Sequence, residues 1–381
     1  MGIRTVMRFA MVISKLVIKV GTSTLTAGTA RLSRRRMLEL AQQIVALREE
    51  HREVILVTSG AIAAGRERFS KFHRPLAKSV PVKQMLAAVG QTHLMLAWEQ
   101  VFDMFDVPVA QVLLTRADLS DRRRYLNARD TLNTILAHQT LPVINENDAV
   151  ATDEIRVGDN DNLSALVANV VRADLLIILT DQDGLYTADP RKDPAARLIP
   201  EVAQLDDSIW NLAGASRGGL GVGGMTTKLQ AADLATRSGV TVVIANGSRP
   251  TAIIDAANGR PVGTRFLPVT SNMESRKRWI LSEKPLGAVR VDEGAAQALF
   301  EGKSLLPVGV REVIDEFERG EVIEIRDSSG REIAHGITRY SSSEARQIAG
   351  RRSSEIAGIL GFEYASMLVH TDDMVILHPV S

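Results

Sequence analysis

Six apolar runs, each about the length of one strand, alternate with amphipathic helical segments through the first two-thirds of this chain. The runs are KLVIKV (15–20), EVILVT (53–58), VPVAQVLLT (107–115), TLPVINEN (140–147), ADLLIILTD (173–181) and GVTVVIANG (239–247). They are continuous rather than alternating in polarity, as strands buried on both faces of a parallel sheet are. Ser33 is placed to cap a helix whose residues Met37, Leu40, Ala41, Ile44 and Val45 share one face. The expected fold class is therefore α/β, a three-layer sandwich around a mainly parallel sheet. In such sheets ligands bind beyond the carboxyl ends of the strands. Polar clusters stand at four of those ends: Lys19-Val20-Gly21-Thr22-Ser23, Thr58-Ser59-Gly60, Asn145-Glu146-Asn147-Asp148 and Thr180-Asp181.

The pattern stops near Gly263. A length of 381 residues suggests two domains, and the aperiodic stretch FLPVTSNMESRKRW reads as the connection. The expected division is 1–266 for the α/β domain, 267–279 for a linker, and 280–370 for a small, mainly β domain. Short strands GAVRVD, EVIEIRD and REIAHGITRY and a helix near Glu293–Glu301 support that second domain. A chain ended near Ser275 is expected to keep its fold and its chemistry.

Composition removes several classes of function. There is no cysteine, which excludes disulfides, thiolate chemistry and iron–sulfur clusters and suits a reducing compartment, the cytoplasm. A net charge of +1 gives no overall attraction to nucleic acid or membrane. The opening MGIRTVMRFAMVISK resembles a signal peptide only faintly and reads as a short extension or a misplaced start codon, and no apolar run approaches the ~18–20 residues that span a bilayer. None of His51, His73, His93, His138, His335, His370 and His378 belongs to a polar cluster, which removes most hydrolase triads and histidine metal sites.

Two segments are dense in chemistry. GGLGVGGMTTKLQAA (218–232) contains a formal dinucleotide fingerprint, but a helix-like segment and not a strand precedes it, and its spacing is not that of a P-loop. What remains is a glycine turn, a helix start and Lys228, which suit an anion, or else a flexible surface loop. IKVGTS makes a similar offer with Lys19, unless that lysine snorkels to solvent. Both lysines are expected in exposed turns, and together they suit a phosphoryl group in transfer. The second segment, NENDAVATDEIRVGDNDNLSALVA (145–168), holds six acids and four asparagines. It lacks the glycine and distant glutamate of a calcium loop, and a helix cap accounts for only one of Asp159, Asn160 and Asp161. A pocket that binds an ammonium group and organises cations accounts for more of them. A carboxylate substrate, already ionised and nucleophilic near neutral pH, would need no histidine base.

Nine motifs in order, KVGTS, VTSGAIAAGR, KQMLAAVGQ, LLTRADL, LNARDTLNT, PVINENDAVA, VGDNDNLSALVA, LTDQDGLYTADP and GVGGMTTKLQAA, together resemble the amino acid kinase family. The C-terminal segment VDEGAAQALFEGKSLLPVGV to IAHGITRY resembles a PUA domain. The resemblance implies an amino acid kinase-like fold and transfer of the γ-phosphoryl group of ATP to the γ-carboxylate of L-glutamate, the first step of proline biosynthesis. It assigns catalysis to Lys19, Lys228 and Asp161, with Asp161 holding the lysines in place. It assigns glutamate binding to Ser59, Asp148 and Asn160. It assigns ATP binding to Lys19, Thr180, Asp181, Val222, Gly223, Gly224, Met225, Thr226, Thr227 and Lys228, with Mg²⁺ held mainly through the ATP phosphates rather than by protein ligands. Val222 departs from the threonine usual in the family, which removes one hydroxyl. The resemblance further implies a dimer or tetramer and feedback inhibition by L-proline. Other members of the family, such as those acting on N-acetylglutamate or aspartate, share the fold, but INENDAVA and the PUA-like segment speak against them. RNA is a further candidate partner through the PUA-like segment, disfavoured by the charge balance and the lack of an aromatic-rich basic stripe.

Overall fold

The computed structural model describes residues 13–70, 77, 79–151, 159–214, 224–269 and 271–377. The chain divides into two compact units, Met1–Thr270 and Ser271–Ser381.

The first unit is built on an eight-stranded sheet: β1 (Lys15–Val20), β2 (Glu53–Thr58), β3 (Val109–Leu114), β4 (Leu141–Glu146), β5 (Leu175–Thr180), β6 (Glu201–Val202), β7 (Thr241–Asn246) and β8 (Thr264–Phe266). Their order is β3-β4-β2-β1-β5-β7-β8-β6. All neighbours run parallel except β7 and β8. The six apolar runs of the sequence are the six long strands. β6 and β8 were not expected, because two or three residues are too few to carry a period.

Both faces of the sheet are covered, which makes the three layers. In β1 the side chains of Leu16, Ile18 and Val20 enter one core, with helices Arg34–Glu49 and Val80–Asp103. Val17 enters the opposite core, with helices Asp159–Val171 and Met225–Arg237. Ser33 caps Arg34–Glu49 by accepting from the Arg36 N–H, and Met37, Leu40, Ala41, Ile44 and Val45 are its buried face, as the spacing predicts. The register pairs Lys19 of β1 with Val57 of β2 and Ile178 of β5. The carboxyl ends of the central strands therefore lie at one edge of the sheet.

One helix crossing fixes the loop after β2. A Cβ at Gly90 would lie 1.7 Å from the Ala61 carbonyl oxygen, and one at Gly65 would lie 2.0 Å from that of Leu86. Helices Ala61–Phe69 and Val80–Asp103 thus meet backbone to backbone. Gly60, immediately before the first of them, has φ +105°, a conformation that favours glycine.

The second unit has a five-stranded sheet of β9 (Ala288–Val291), β10 (Val310–Ile314), β11 (Val322–Arg326), β12 (Glu332–Thr338) and β13 (Val369–Ile376), in the order β10-β9-β11-β12-β13. The stretch expected as a linker, 267–279, is largely helical. Ser271 and Glu274 form a capping box on helix Asn272–Ser282, whose Ile280 packs with Val322, Ile337 and Val375 of the second unit. Arg276 of that helix pairs with the fully buried Asp373, which Arg339 also holds at 2.9 Å. A chain ended near Ser275 would cut this helix, so the boundary belongs at Thr270.

Gly90→Ala is expected to lower stability by about 1–3 kcal/mol through overpacking, measured by denaturant unfolding. A protein ending at Thr270 is expected to unfold in one cooperative thermal transition. A molten trace without such a transition would show that the first unit does not stand alone.

Candidate active site

The alternation that buries Leu16, Ile18 and Val20 on one face turns Lys19 toward the other, where two helices begin. Asp161 is the third residue of helix Asp159–Val171, and Lys228 the fourth of helix Met225–Arg237. The Asp161 carboxylate stands between the lysines, with Oδ1 2.5 Å from Lys19 Nζ and Oδ2 3.1 Å from Lys228 Nζ. Thr227 Oγ1 donates to Oδ2 at 2.8 Å, and Lys228 Nζ also donates to the Gly224 carbonyl at 3.3 Å. Lys19 is 5% exposed and Asp161 1%. The expectation of lysines in exposed turns is therefore corrected: Lys19 lies within a central strand, and the Lys228 side chain is only 12% exposed.

Burial sets the acid–base behaviour of this cluster. Burial is the largest influence on Asp161 and by itself would raise its pKa. The charges of Lys19 and Lys228, with hydrogen bonds from Lys19 and Thr227, outweigh it and hold the carboxyl below its ordinary value. For Lys19 burial prevails over the attraction of Asp161, with repulsion from Lys228 adding to it, and the ammonium lies below its ordinary range. The start of a helix further favours the Asp161 anion.

A cavity of about 970 Å³ opens over this cluster. It brings together Lys19, Ser59, Asp148, Asn160, Asp161, Thr180, Asp181, Gly224, Met225, Thr227 and Lys228. Thr226 does not line it; its side chain is buried behind the first helical turn, and Oγ1 donates to the Ala213 carbonyl at 3.4 Å. Val222 and Gly223 lie outside the described residues, as does the side chain of Asp159. Gly224 has φ +74° and leads directly into helix Met225–Arg237, so its backbone takes a form few other residues adopt. Thr180 Oγ1 donates to Asp181 Oδ1 at 3.1 Å, ordering the end of β5. Asn160 Nδ2 donates to Asn145 Oδ1 at 3.2 Å, and Asn160 Oδ1 accepts from the Glu146 N–H at 3.3 Å.

Three cations at this cavity were missed in the sequence: Arg31, Arg66 and Lys83. Arg66 ends the motif VTSGAIAAGR and Lys83 begins KQMLAAVGQ, so membership of a motif was the signal for those two, whereas Arg31 stands in none. Among the described residues, five cations thus face four carboxylates (Glu67, Asp148, Asp161 and Asp181) around the cavity. Such a lining suits a polyanion beside a smaller zwitterion. Among the described residues no three His, Cys, Asp or Glu side chains gather as a metal site.

The sequence model of the amino acid kinase family matches residues 14–246, and that of the PUA domain matches residues 287–360. The chain belongs to the amino acid kinase family. Within it, a protein of Serratia marcescens named glutamate 5-kinase is 54% identical over 362 residues, 95% of this chain and 98% of that protein. A glutamate 5-kinase of Yersinia enterocolitica is likewise 54% identical over the same coverage. Among solved structures, a UMP kinase from Bacillus anthracis is 15% identical with a TM-score of 0.47, covering 68% of this chain and 97% of its own.

If Lys19 holds a phosphoryl group it does so as the ammonium, and its pKa is lowered, so turnover is expected to fall as pH rises through a value below the ordinary lysine ~10.4. Asp161 is depressed, so its contribution is complete above the ordinary carboxylate ~3.9 and is lost only on acidification below it. A pH profile of kcat should show the alkaline limb, and Lys19→Arg should move it upward even at low residual activity. An unmoved limb would assign it elsewhere.

Proposed function

We propose that the protein transfers the γ-phosphoryl group of ATP to the γ-carboxylate of L-glutamate, giving L-glutamyl 5-phosphate, the first step of proline biosynthesis. The observation that carries this reading is the buried Lys19–Asp161–Lys228 cluster, with Ser59, Asp148 and Asn160 at the same cavity as Thr180, Asp181 and the start of helix Met225–Arg237. The 54% identity to proteins named glutamate 5-kinase supports the choice of acceptor.

In this reading a γ-carboxylate oxygen forms a bond to the γ-phosphorus while the bond to the β,γ-bridging oxygen breaks. ADP leaves with the electron pair. Nucleophile and leaving group are both anions, so no proton has to move and no histidine is needed. Lys19 and Lys228 lie where charge accumulates on the transferring group, and Asp161 fixes both ammonium groups before substrate arrives. Asp148 pairs with the substrate ammonium, while Asn160 and the Ser59 hydroxyl orient its carboxylates. The first-turn N–H groups of helix Met225–Arg237 face the triphosphate. A magnesium ion would be held mainly by the ATP phosphates, with Asp181 the carboxylate of the cavity at the end of β5, and would neutralise phosphate charge. Glutamate's free ammonium is the cation that Asp148 would bind, and N-acetylglutamate offers none. L-proline shares the ammonium and α-carboxylate and would compete for the same half of the cavity. We read the enzyme as a cytoplasmic homo-oligomer, and no helix among the described residues is long and apolar enough to cross a membrane.

The direct test offers purified protein ATP with L-glutamate, L-aspartate or N-acetyl-L-glutamate and traps the acyl phosphate with hydroxylamine. Hydroxamate should form with L-glutamate well ahead of the others; preference for N-acetylglutamate would overturn the assignment. Lys228→Ala should lower kcat by about 10²–10³. Asp148→Asn should mainly raise the glutamate KM and spare that for ATP, whereas Asp161→Asn should mainly lower kcat. One shared pattern for these two variants would refute their division of roles. The protein ending at Thr270 should retain the transfer.

A further inference from the structure

We propose that Gln91 is a positioning residue for the amino-acid substrate, acting through Asn145 on Asn160. The inference rests on the reading of Asn160 as a glutamate ligand. Gln91 lies on helix Val80–Asp103 and is not among the residues lining the main cavity. Its Oε1 accepts from Asn145 Nδ2 at 2.7 Å. Asn145 Oδ1 in turn accepts from Asn160 Nδ2 at 3.2 Å, and Asn160 Oδ1 accepts from the Glu146 N–H at 3.3 Å. Three primary amides thus run in series from one helix, across the end of β4, to the first turn of another.

The direction of the series follows from its fixed end. A primary amide offers donors on one side and an acceptor on the other, so it can be turned over with little change of shape. The Glu146 N–H can only donate, so it takes the oxygen of Asn160. That presents Asn160 Nδ2 to Asn145, which must answer with oxygen and present its own Nδ2 to Gln91. Gln91 closes the series with Oε1. Its Nε2 is buried and meets no acceptor among the described residues. Among the described residues the Gln91 side chain therefore hydrogen-bonds Asn145 alone, and accepting that one hydrogen bond is its contribution.

The consequence is for the substrate. With the series intact, Asn160 keeps its second Nδ2 hydrogen and one oxygen lone pair for the cavity, in a settled orientation. Without the Gln91 acceptor the Glu146 N–H still sets which way the series runs, but Asn145 Nδ2 loses its partner and Asn145 holds Asn160 less firmly. Asn160 then meets the substrate carboxylate from a less settled position. The loss falls on amino-acid binding, while the Lys19–Asp161–Lys228 cluster keeps all its own contacts.

The test uses Gln91→Met, which keeps the length and removes the acceptor, and Gln91→Glu, which retains an acceptor toward Asn145. Gln91→Met should raise the glutamate KM about three- to tenfold, the range for one neutral hydrogen bond, with kcat and the ATP KM within about twofold. Gln91→Glu should bring the glutamate KM back below that of Gln91→Met. In an Asn145→Ala background, Gln91→Met should add nothing further, whereas a general packing defect would add its full effect. Gln91→Ser carries the same test if the methionine side chain does not fit. An unchanged glutamate KM in Gln91→Met, or an equal rise in the Asn145→Ala background, overturns the proposal. Asn160→Ala separates this from the underlying reading: if that variant binds glutamate normally, the glutamate assignment of Asn160 fails. If it binds weakly while Gln91→Met is silent, only the amide series fails.

Discussion

Two ammonium groups would not remain together beside a buried strand end without an anion between them. Asp161 is that anion, and it uses both oxygens, one for each lysine. Removing one partner of a buried ion cluster leaves uncompensated charge, a loss of about 3–5 kcal/mol in buried pairs. The cluster is therefore a condition of the local fold as well as of the chemistry. It also explains why the lysines can be largely dry. Desolvation weakens the hold of Lys19 on its proton, and the same dryness strengthens its field at a phosphoryl group.

The sheet supplies the placement. β1 is central, flanked by β2 and β5 in parallel register, so Lys19 emerges between Val57 and Ile178 with no freedom along the sheet. Its side chain faces the layer in which helices Asp159–Val171 and Met225–Arg237 begin. The opposite layer acts through the Gly65–Gly90 crossing, which holds the turn after β2 by backbone contact. A one-residue slip of β1 would send Lys19 into the apolar core that Ile18 and Val20 now fill, and turn those two toward the cluster.

Much of this is legible in the sequence because it rests on period and punctuation. Continuous apolar runs identify the strands, and polar clusters mark the edge where they end. Asp161 stands out because three polar residues crowd one helix start that needs one cap. What escaped depends on partners far apart in the chain. Helix Asn272–Ser282 reads as a linker because its first two turns are mostly polar and charged, and its buried anchor Ile280 comes near the end. β13 went unread because its sequence VHTDDMVI breaks the apolar rule. Asp373 is fully buried there, made tolerable by Arg276 and Arg339. Gln91 ends the motif KQMLAAVGQ, but a glutamine on a helix is ordinarily a solvated one, so the motif alone gives it no role. Arg66 and Lys83 became visible only when the cavity closed around them.

The two halves of the site are held by different physics, and they meet at adjacent residues. The phosphoryl half is ionic: strong, long-ranged and nearly indifferent to orientation. The amino-acid half is built of amides, whose value lies in direction, because turning one over exchanges donor for acceptor. Asn160 belongs to the amide series and Asp161 to the ion cluster, and both sit in the first turn of one helix. Consecutive residues of a helix point about 100° apart, so one short turn reaches both halves at once. In the proposed reaction, a carboxylate held by the first and a phosphoryl group held by the second would be set against each other by a rigid element rather than by a loop. A reaction without proton transfer leaves positioning and charge as the chief means of catalysis. That is why the chain concentrates its acids and amides at this one helix start.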